Sequence, residues 1–225
     1  SFPTRRSSDL ELKKNLNDVF KTVLNNGTSQ KSRLIISDYV RRADNASKVL
    51  DDNGEPLVVF HGTNAPDIQE FKLGTEGWLG PGIYFTPMKI YAKHFTDNGD
   101  KGVMQLFLNL RSPLQLGDVD NPVMEILTRL YGDKAQAIYN ERYNDVYNKN
   151  LDKFKSEYQD DIDNPFAKAD MDMYIKRYII TGDEINKLLA QGHDGIAWSF
   201  EYSVLQPSQI KSATGNDGNF SLTNP

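Results

Sequence analysis

The chain of 225 residues is 38% hydrophobic, 11% aromatic and 25% charged, with a formal net charge of −5. That is room for one ample domain with an appendage, and the mildly acidic balance excludes the basic footprint of a nucleic-acid-binding protein. There is no cysteine, which removes disulfide frameworks and thiolate metal sites, and no apolar run approaches the roughly 18 residues of a membrane span. No signal-like apolar segment stands near the first residue, a pattern expected of an intracellular protein.

Ser1 to Leu10 reads SFPTRRSSDL, which matches the translation of a common short-read sequencing adapter. Such a segment is set aside before fold reasoning, with the expectation that the natural protein is longer upstream and of metagenomic origin. From Glu11 the pattern turns helical. Leu12, Leu16, Val19 and Val23 recur at spacings of four, three and four, one face of an amphipathic helix. Asn25-Asn26-Gly27 ends it with glycine just past the last turn. A second helix is expected over about 31–46, carrying Leu34, Ile35, Tyr39 and Val40. Residues 11–46 are therefore expected to form a helical upstream segment.

A new domain is expected from Ser47 to the end of the chain. Leu57-Val58-Val59-Phe60 is a short apolar, partly β-branched run and reads as a buried strand. It runs directly into His61-Gly62-Thr63, where a glycine lets the backbone approach something flat. A second glycine turn, Gly80-Pro81-Gly82, feeds the strand Ile83-Tyr84-Phe85-Thr86. A helix follows, with Tyr91, Ala92 and Phe95 at helical spacing. Val103 to Leu110 reads as a third strand.

Roughly Asn121 to Gln191 then reads as an all-helical insertion. Tyr139, Tyr143, Tyr147, Leu151, Phe154 and Tyr158 lie on one helical stripe, and seven of the eleven tyrosines fall between Tyr131 and Tyr178. A base-stacking surface needs cations interleaved with aromatics. Here Asp160, Asp161 and Asp163 cluster instead, so the stripe is expected to be core. Asp163-Asn164-Pro165 breaks the helices, and Thr181 or Asp183 is expected to cap the last one. The insertion is expected to control which acceptor reaches the functional cleft. Gly192 to Trp198 reads as a turn and a strand, followed by Glu201-Tyr202-Ser203-Val204-Leu205. His94 and His193 are expected at the surface or in turns. With three scattered histidines, no ligand cluster for a metal is visible.

His61, Tyr84 and Glu201 in that order, each on or ending a short apolar strand, resemble the triad of ADP-ribosyltransferases. The segment from Ser47 to Thr63 is similar to the opening of ADP-ribosyltransferase domains in polyvalent proteins of phages and mobile elements. More distantly, His61-Gly62-Thr63 resembles the first motif of the His-Tyr-Glu group of poly(ADP-ribose) polymerases and diphtheria-type toxins. The resemblance covers about Ser47 to Phe220. It implies an α+β fold with a split, mainly antiparallel sheet, carrying the N-terminal helices and the helical insertion. It also implies that His61, Tyr84 and Glu201 converge on one cleft.

It further implies that NAD is a consumed substrate. His61 then reaches the adenosine-side ribose, Gly62 holds the carboxamide of the nicotinamide, and Thr63 supports the loop. Tyr84 and Phe95, eleven positions apart, sandwich the nicotinamide ring. Ala92 stands where many relatives carry a serine that bonds the carboxamide, a departure from the family pattern that leaves no hydroxyl for that contact. Glu201 is the implied catalytic carboxylate. Ser199, two positions before it, replaces the second glutamate of arginine-modifying transferases, which suggests a non-arginine acceptor. The expectation is a mono-ADP-ribosyltransferase acting in a bacterial host cytoplasm on a host macromolecule, protein rather than nucleic acid, with no membrane partner and no metal. An NAD glycohydrolase and a non-catalytic module of a phage polyvalent protein remain alternatives.

Overall fold

The computed structural model describes residues 46–213 except 53, 66, 67, 69 and 160. The adapter-like segment, the helices expected over 11–46 and the chain after 213 lie outside the described residues. The chain divides into units 1–46 and 47–225, and the described residues belong, but for Ala46, to the second.

Among the described residues, seven strands make two sheets. The first has the order β1-β3-β7, from β1 (Val59–Gly62), β3 (Val103–Leu108) and β7 (Ile210–Ser212), with antiparallel neighbours. The second has the order β2-β6-β5-β4, from β2 (Ile83–Phe85), β6 (Glu201–Val204), β5 (Gly195–Trp198) and β4 (Leu114–Gly117). Only its β4–β5 pair is parallel. The sheets meet at one bridge, where Phe60 and Thr86 exchange both backbone hydrogen bonds, at 2.7 and 3.0 Å. This is the split, mainly antiparallel α+β architecture expected.

Strand alternation sorts the second sheet into two faces. Ile83, Phe85 and Val204 pack with Val59, Leu106 and Leu108 of the first sheet. Tyr84, Ile196 and Trp198 belong instead to the cluster formed with the helices. Burial on both faces explains why these strands read as apolar runs.

A short helix, α1 (Lys89–Ala92), runs into a single 3₁₀ turn at Lys93–Phe95. Four helices, α2 (Pro122–Tyr131), α3 (Ala135–Glu157), α4 (Pro165–Lys176) and α5 (Gly182–Ala190), fill the interval between β4 and β5. Their ends are set by caps. Asn121 and Asn164 accept from Met124 N and Ala167 N with proline at the first helical position, the arrangement that satisfies otherwise orphaned donors. Thr181 and Glu184 form a reciprocal capping box on α5.

Glu184 is fully buried, and the rest of its carboxylate is taken up by Arg142, the Thr181 hydroxyl and the Tyr131 hydroxyl. This network ties α5 to α2 and α3. Of the tyrosine stripe, Phe154 is buried. Tyr139, Tyr143 and Tyr147 are half-buried at the edge of the core, and Tyr139 stacks on Tyr143 at 5.8 Å.

Candidate active site

The three polar residues at strand positions come from strands joined edge to edge. Glu201 opens β6, and the register sets Tyr84 against Ser203 and Trp198 against Glu201. Directly opposed residues project to one face. Tyr84, Ser203, Glu201 and Trp198 therefore share a face of the second sheet. His61 lies on β1 beside the Phe60–Thr86 bridge and has the parity of Phe85, whose ring it meets at 5.4 Å. It also packs edge-on against Phe71 at 5.3 Å. Its side chain thus leaves the seam of the sheets on the side opposite Tyr84 and Glu201. What joins it to them is the backbone, through a 2.8 Å contact between His61 Nδ1 and the Tyr84 carbonyl oxygen.

A carbonyl only accepts, so Nδ1 carries the proton and Nε2 is left as an acceptor. Burial lowers the His61 pKa, partly countered by that hydrogen bond, which keeps the ring neutral at neutral pH.

Gly62 has the parity of Tyr84. A Cβ there would lie 1.9 Å from the Ala92 carbonyl oxygen and 3.0 Å from Phe95 Cβ. Only glycine lets the end of β1 come this close to α1. The Ala92 carbonyl and Phe95 Cβ consequently stand next to Gly62; Ala92 is itself buried and Phe95 is 57% exposed. The Thr63 hydroxyl accepts from Ala65 N at 3.1 Å and fixes the chain leaving the strand.

The Tyr84 hydroxyl donates to the Gly80 carbonyl and accepts from Leu79 N at 3.0 Å. Gly77 packs on its ring, since a Cβ at that position would fall 2.1 Å from the hydroxyl oxygen. Burial, followed by the charge of Glu201, raises the Tyr84 pKa far above that of a free phenol. The phenol is therefore a fixed neutral wall. The buried Ser203 hydroxyl stands opposite it, close enough to act on the phenol.

Glu201 is set among rings. Phe200, the residue before it, packs on Tyr91 at 5.2 Å and on Trp198 at 5.8 Å, and Tyr91 in turn meets Phe95 at 5.4 Å. Burial pushes the Glu201 pKa up to about 7, and Tyr91 is raised by burial and then by the Glu201 charge. A carboxylate desolvated in this way is poised to meet positive charge. Ser199 in the two-residue turn before it has φ +43, a left-handed conformation that costs a non-glycine residue about 1–3 kcal/mol.

Parity puts Gly62, Tyr84 and Glu201 on one side of the joined sheets, with Ala92 and Phe95 against Gly62. His61, expected to converge with Tyr84 and Glu201 on one cleft, instead projects to the other side of the seam because it shares the parity of Phe85. The sequence did not single out Tyr91 and Phe200 as neighbours of the carboxylate. Their signal was adjacency, because Phe200 precedes Glu201 and Tyr91 precedes Ala92. Asp194 was also missed: it accepts from Arg111 N and Ser112 N at 2.7 and 2.9 Å and fixes the turn after β3. Among the described residues, no group of three or more His, Asp or Glu converges to hold a metal, and no helix is long and apolar enough to cross a membrane.

The described residues thus form a split, mainly antiparallel α+β fold with a half-buried strand-end carboxylate beside a fixed tyrosine and a set of packed rings. The model of the family described as ADP-ribosyltransferase in polyvalent proteins matches residues 51–220, and the chain belongs to that family. ADP-ribosyltransferases take NAD as substrate and pass ADP-ribose to an acceptor. No curated protein and no solved structure matches the chain.

Proposed function

We propose that residues 47–225 are a mono-ADP-ribosyltransferase domain that includes the helices between about 121 and 191. It cleaves the nicotinamide–ribose bond of NAD and transfers ADP-ribose to a host macromolecule in the bacterial cytoplasm, at a group other than arginine. The observation that carries this reading is the Glu201 carboxylate, desolvated beside Tyr84 with no side chain among the described residues hydrogen-bonded to it.

The chemistry asks for that arrangement. When the C1′–N bond breaks, its electron pair leaves with nicotinamide and the ribose becomes oxocarbenium-like, as in glycoside cleavage. A carboxylate held in a water-poor site stabilises that developing charge far more than it would in water. Glu201 is the group assigned to it, and to the ribose 2′-hydroxyl. As the acceptor oxygen bonds to C1′ it gives up its proton, and Glu201 is the base nearest to hand.

Tyr84 and Phe95 are assigned as the two walls for the nicotinamide ring, and the bare backbone at Gly62 as the carboxamide contact. Ala92 offers no hydroxyl there. His61 Nε2 is the acceptor for a hydroxyl of the second ribose, which requires NAD to cross the β1–β2 seam. Rate then rests on orientation and electrostatics.

The non-arginine assignment is supported by position 199. A guanidinium stays charged and prefers a bidentate acidic partner, whereas Ser199 is an exposed neutral residue in the turn before Glu201. Asp161, an acid of the helical segment, accepts instead from Asn164 at the α3–α4 turn. A hydroxyl or carboxylate acceptor, on Ser or Asp/Glu, is preferred.

Incubation with labelled NAD and a bacterial lysate, followed by protease and nuclease digestion, tests the reading. Protease-sensitive label on non-arginine side chains is expected. Label mostly on arginine contradicts the acceptor class, and free ADP-ribose without labelled macromolecule would make the domain an NAD glycohydrolase.

A further inference from the structure

The loop between β1 and β2 that grips the Tyr84 phenol is itself held by the far end of the helical segment. Gly77 N donates to the Arg177 carbonyl at 3.0 Å, and the Arg177 guanidinium pairs with Glu76 at 3.1 Å. Gly80, whose carbonyl receives the Tyr84 hydroxyl, is pressed against Ile180: a Cβ at Gly80 would lie 2.5 Å from Ile180 Cγ2 and 3.1 Å from Ile185 Cδ1. Leu79, fully buried, joins Ile180 in the helical core. The guanidinium is also close enough for its charge to act on the Tyr84 phenol.

We propose that the Glu76–Arg177 pair, linking the loop to the C-terminal end of α4, is a positioning device for Tyr84. The helical segment is then a structural part of the NAD site, in addition to any part it plays toward the acceptor. The consequence rests on Tyr84 being the nicotinamide wall.

The physical case is one of relay. A phenol with its hydroxyl fixed at both ends cannot shift unless residues 79–80 shift, and those residues are seated on Ile180 and Ile185. On the strand side, Tyr84 is held by the β2–β6 ladder and by the His61 contact at its carbonyl. The loop side therefore decides the tilt of the ring about that strand. The pair itself is half exposed, with side-chain exposures of 48% for Arg177 and 30% for Glu76. Such a pair contributes little to global stability, so its loss is expected to change local geometry more than folding.

The test compares Glu76→Arg, Arg177→Glu and the double exchange in the full chain. It reads the NAD KM, kcat, melting temperature and amide exchange over residues 76–82. Each single reversal is expected to raise KM for NAD about fivefold, within what an exposed pair can supply. Loop exchange should quicken, while kcat and the melting temperature stay near the parent values. The double exchange should restore much of KM and loop protection, short of the hydrogen bond that Glu76 also makes with Tyr178. Lys149→Gln, on an exposed i,i+4 pair of α3, is the control and should change neither.

Unchanged KM and loop exchange in both reversals would overturn the proposal. So would reversals whose effects the double exchange leaves wholly unrepaired. Tyr84→Ala separates this from the underlying reading. If Tyr84→Ala keeps NAD turnover, the nicotinamide assignment fails, and the rescue of loop exchange still decides whether the pair positions the loop.

Discussion

His61 Nδ1 sits 2.8 Å from the carbonyl oxygen of Tyr84, a side chain of one sheet bonded to the backbone of the other. The two sheets otherwise meet at the Phe60–Thr86 bridge, so this hydrogen bond helps set the spacing at which substrate has to cross. His61→Ala is expected to weaken NAD binding about tenfold or more while kcat falls only a few fold. An imidazole that binds ribose and steadies the seam contributes to affinity rather than to the bond-breaking step. Titration calorimetry with NAD beside steady-state kinetics reads the split. A loss confined to kcat would contradict it.

Glu201 makes stability depend on pH with a definite sign. Burial raises its pKa from 4.5 to about 7, so the folded state prefers the protonated acid. The resulting stability is fully present below the unfolded pKa near 4.5 and is lost as pH rises through about 7. Glu201→Gln, always neutral, should match the parent near pH 4 and exceed it at pH 8 by on the order of 3 kcal/mol, at 1.36 kcal/mol per unit. Denaturant unfolding at the two pH values measures this. A variant less stable than the parent at pH 8 would show that the carboxylate is not desolvated.

Gly62→Ala places a methyl 1.9 Å from the Ala92 carbonyl oxygen, which is backbone and cannot swing aside. Strand and helix have to part, at a cost of about 1–3 kcal/mol, and Phe95 moves with them. The expected result is a folded protein with a lowered melting temperature and strongly weakened NAD affinity. Parent-like affinity would remove Gly62 from the binding surface.

The Glu184 network should be structural. Burial alone would raise the Glu184 pKa, but Arg142, Thr181 and Tyr131 outweigh it and bring the value down to about 2. That stability is present above pH 4.5 and is lost as pH falls through about 2. Glu184→Ala leaves the partly buried Arg142 unpaired and should cost about 3 kcal/mol at pH 7, with the gap to the parent closing toward pH 2. An unchanged midpoint at pH 7 would contradict this.

The candidate site was legible in part because the patterns that point to it are short and local. A strand running into His61-Gly62, a glycine turn feeding Tyr84 and a strand opening with Glu201 are each visible within a few residues. The pairing of Tyr84 with Ser203 and the side from which His61 projects were not legible. Both depend on register between segments more than a hundred positions apart or across the seam, and a slip of one residue reverses the face.

The Glu76–Arg177 contact was hidden for the same reason. Periodicity reported α3 well, yet it placed Tyr139 and Tyr143 in the core. A half-buried edge and a buried face give the same helical stripe, and only the neighbouring helix distinguishes them. The cap at Thr181 was readable in outline. Its completion by Arg142 and Tyr131 required the packing of three helices.

The central claim is that Glu201 carries the cleavage of NAD. Its most direct test is nicotinamide release from NAD by the parent and by Glu201→Gln at pH 8, where the parent carboxylate is ionised, with NAD affinity measured on both. The account predicts that the amide variant binds NAD within a few fold of the parent and loses turnover by at least about a hundredfold, the scale of one removed electrostatic stabiliser. Turnover at the parent rate in a folded, NAD-binding Glu201→Gln would contradict it.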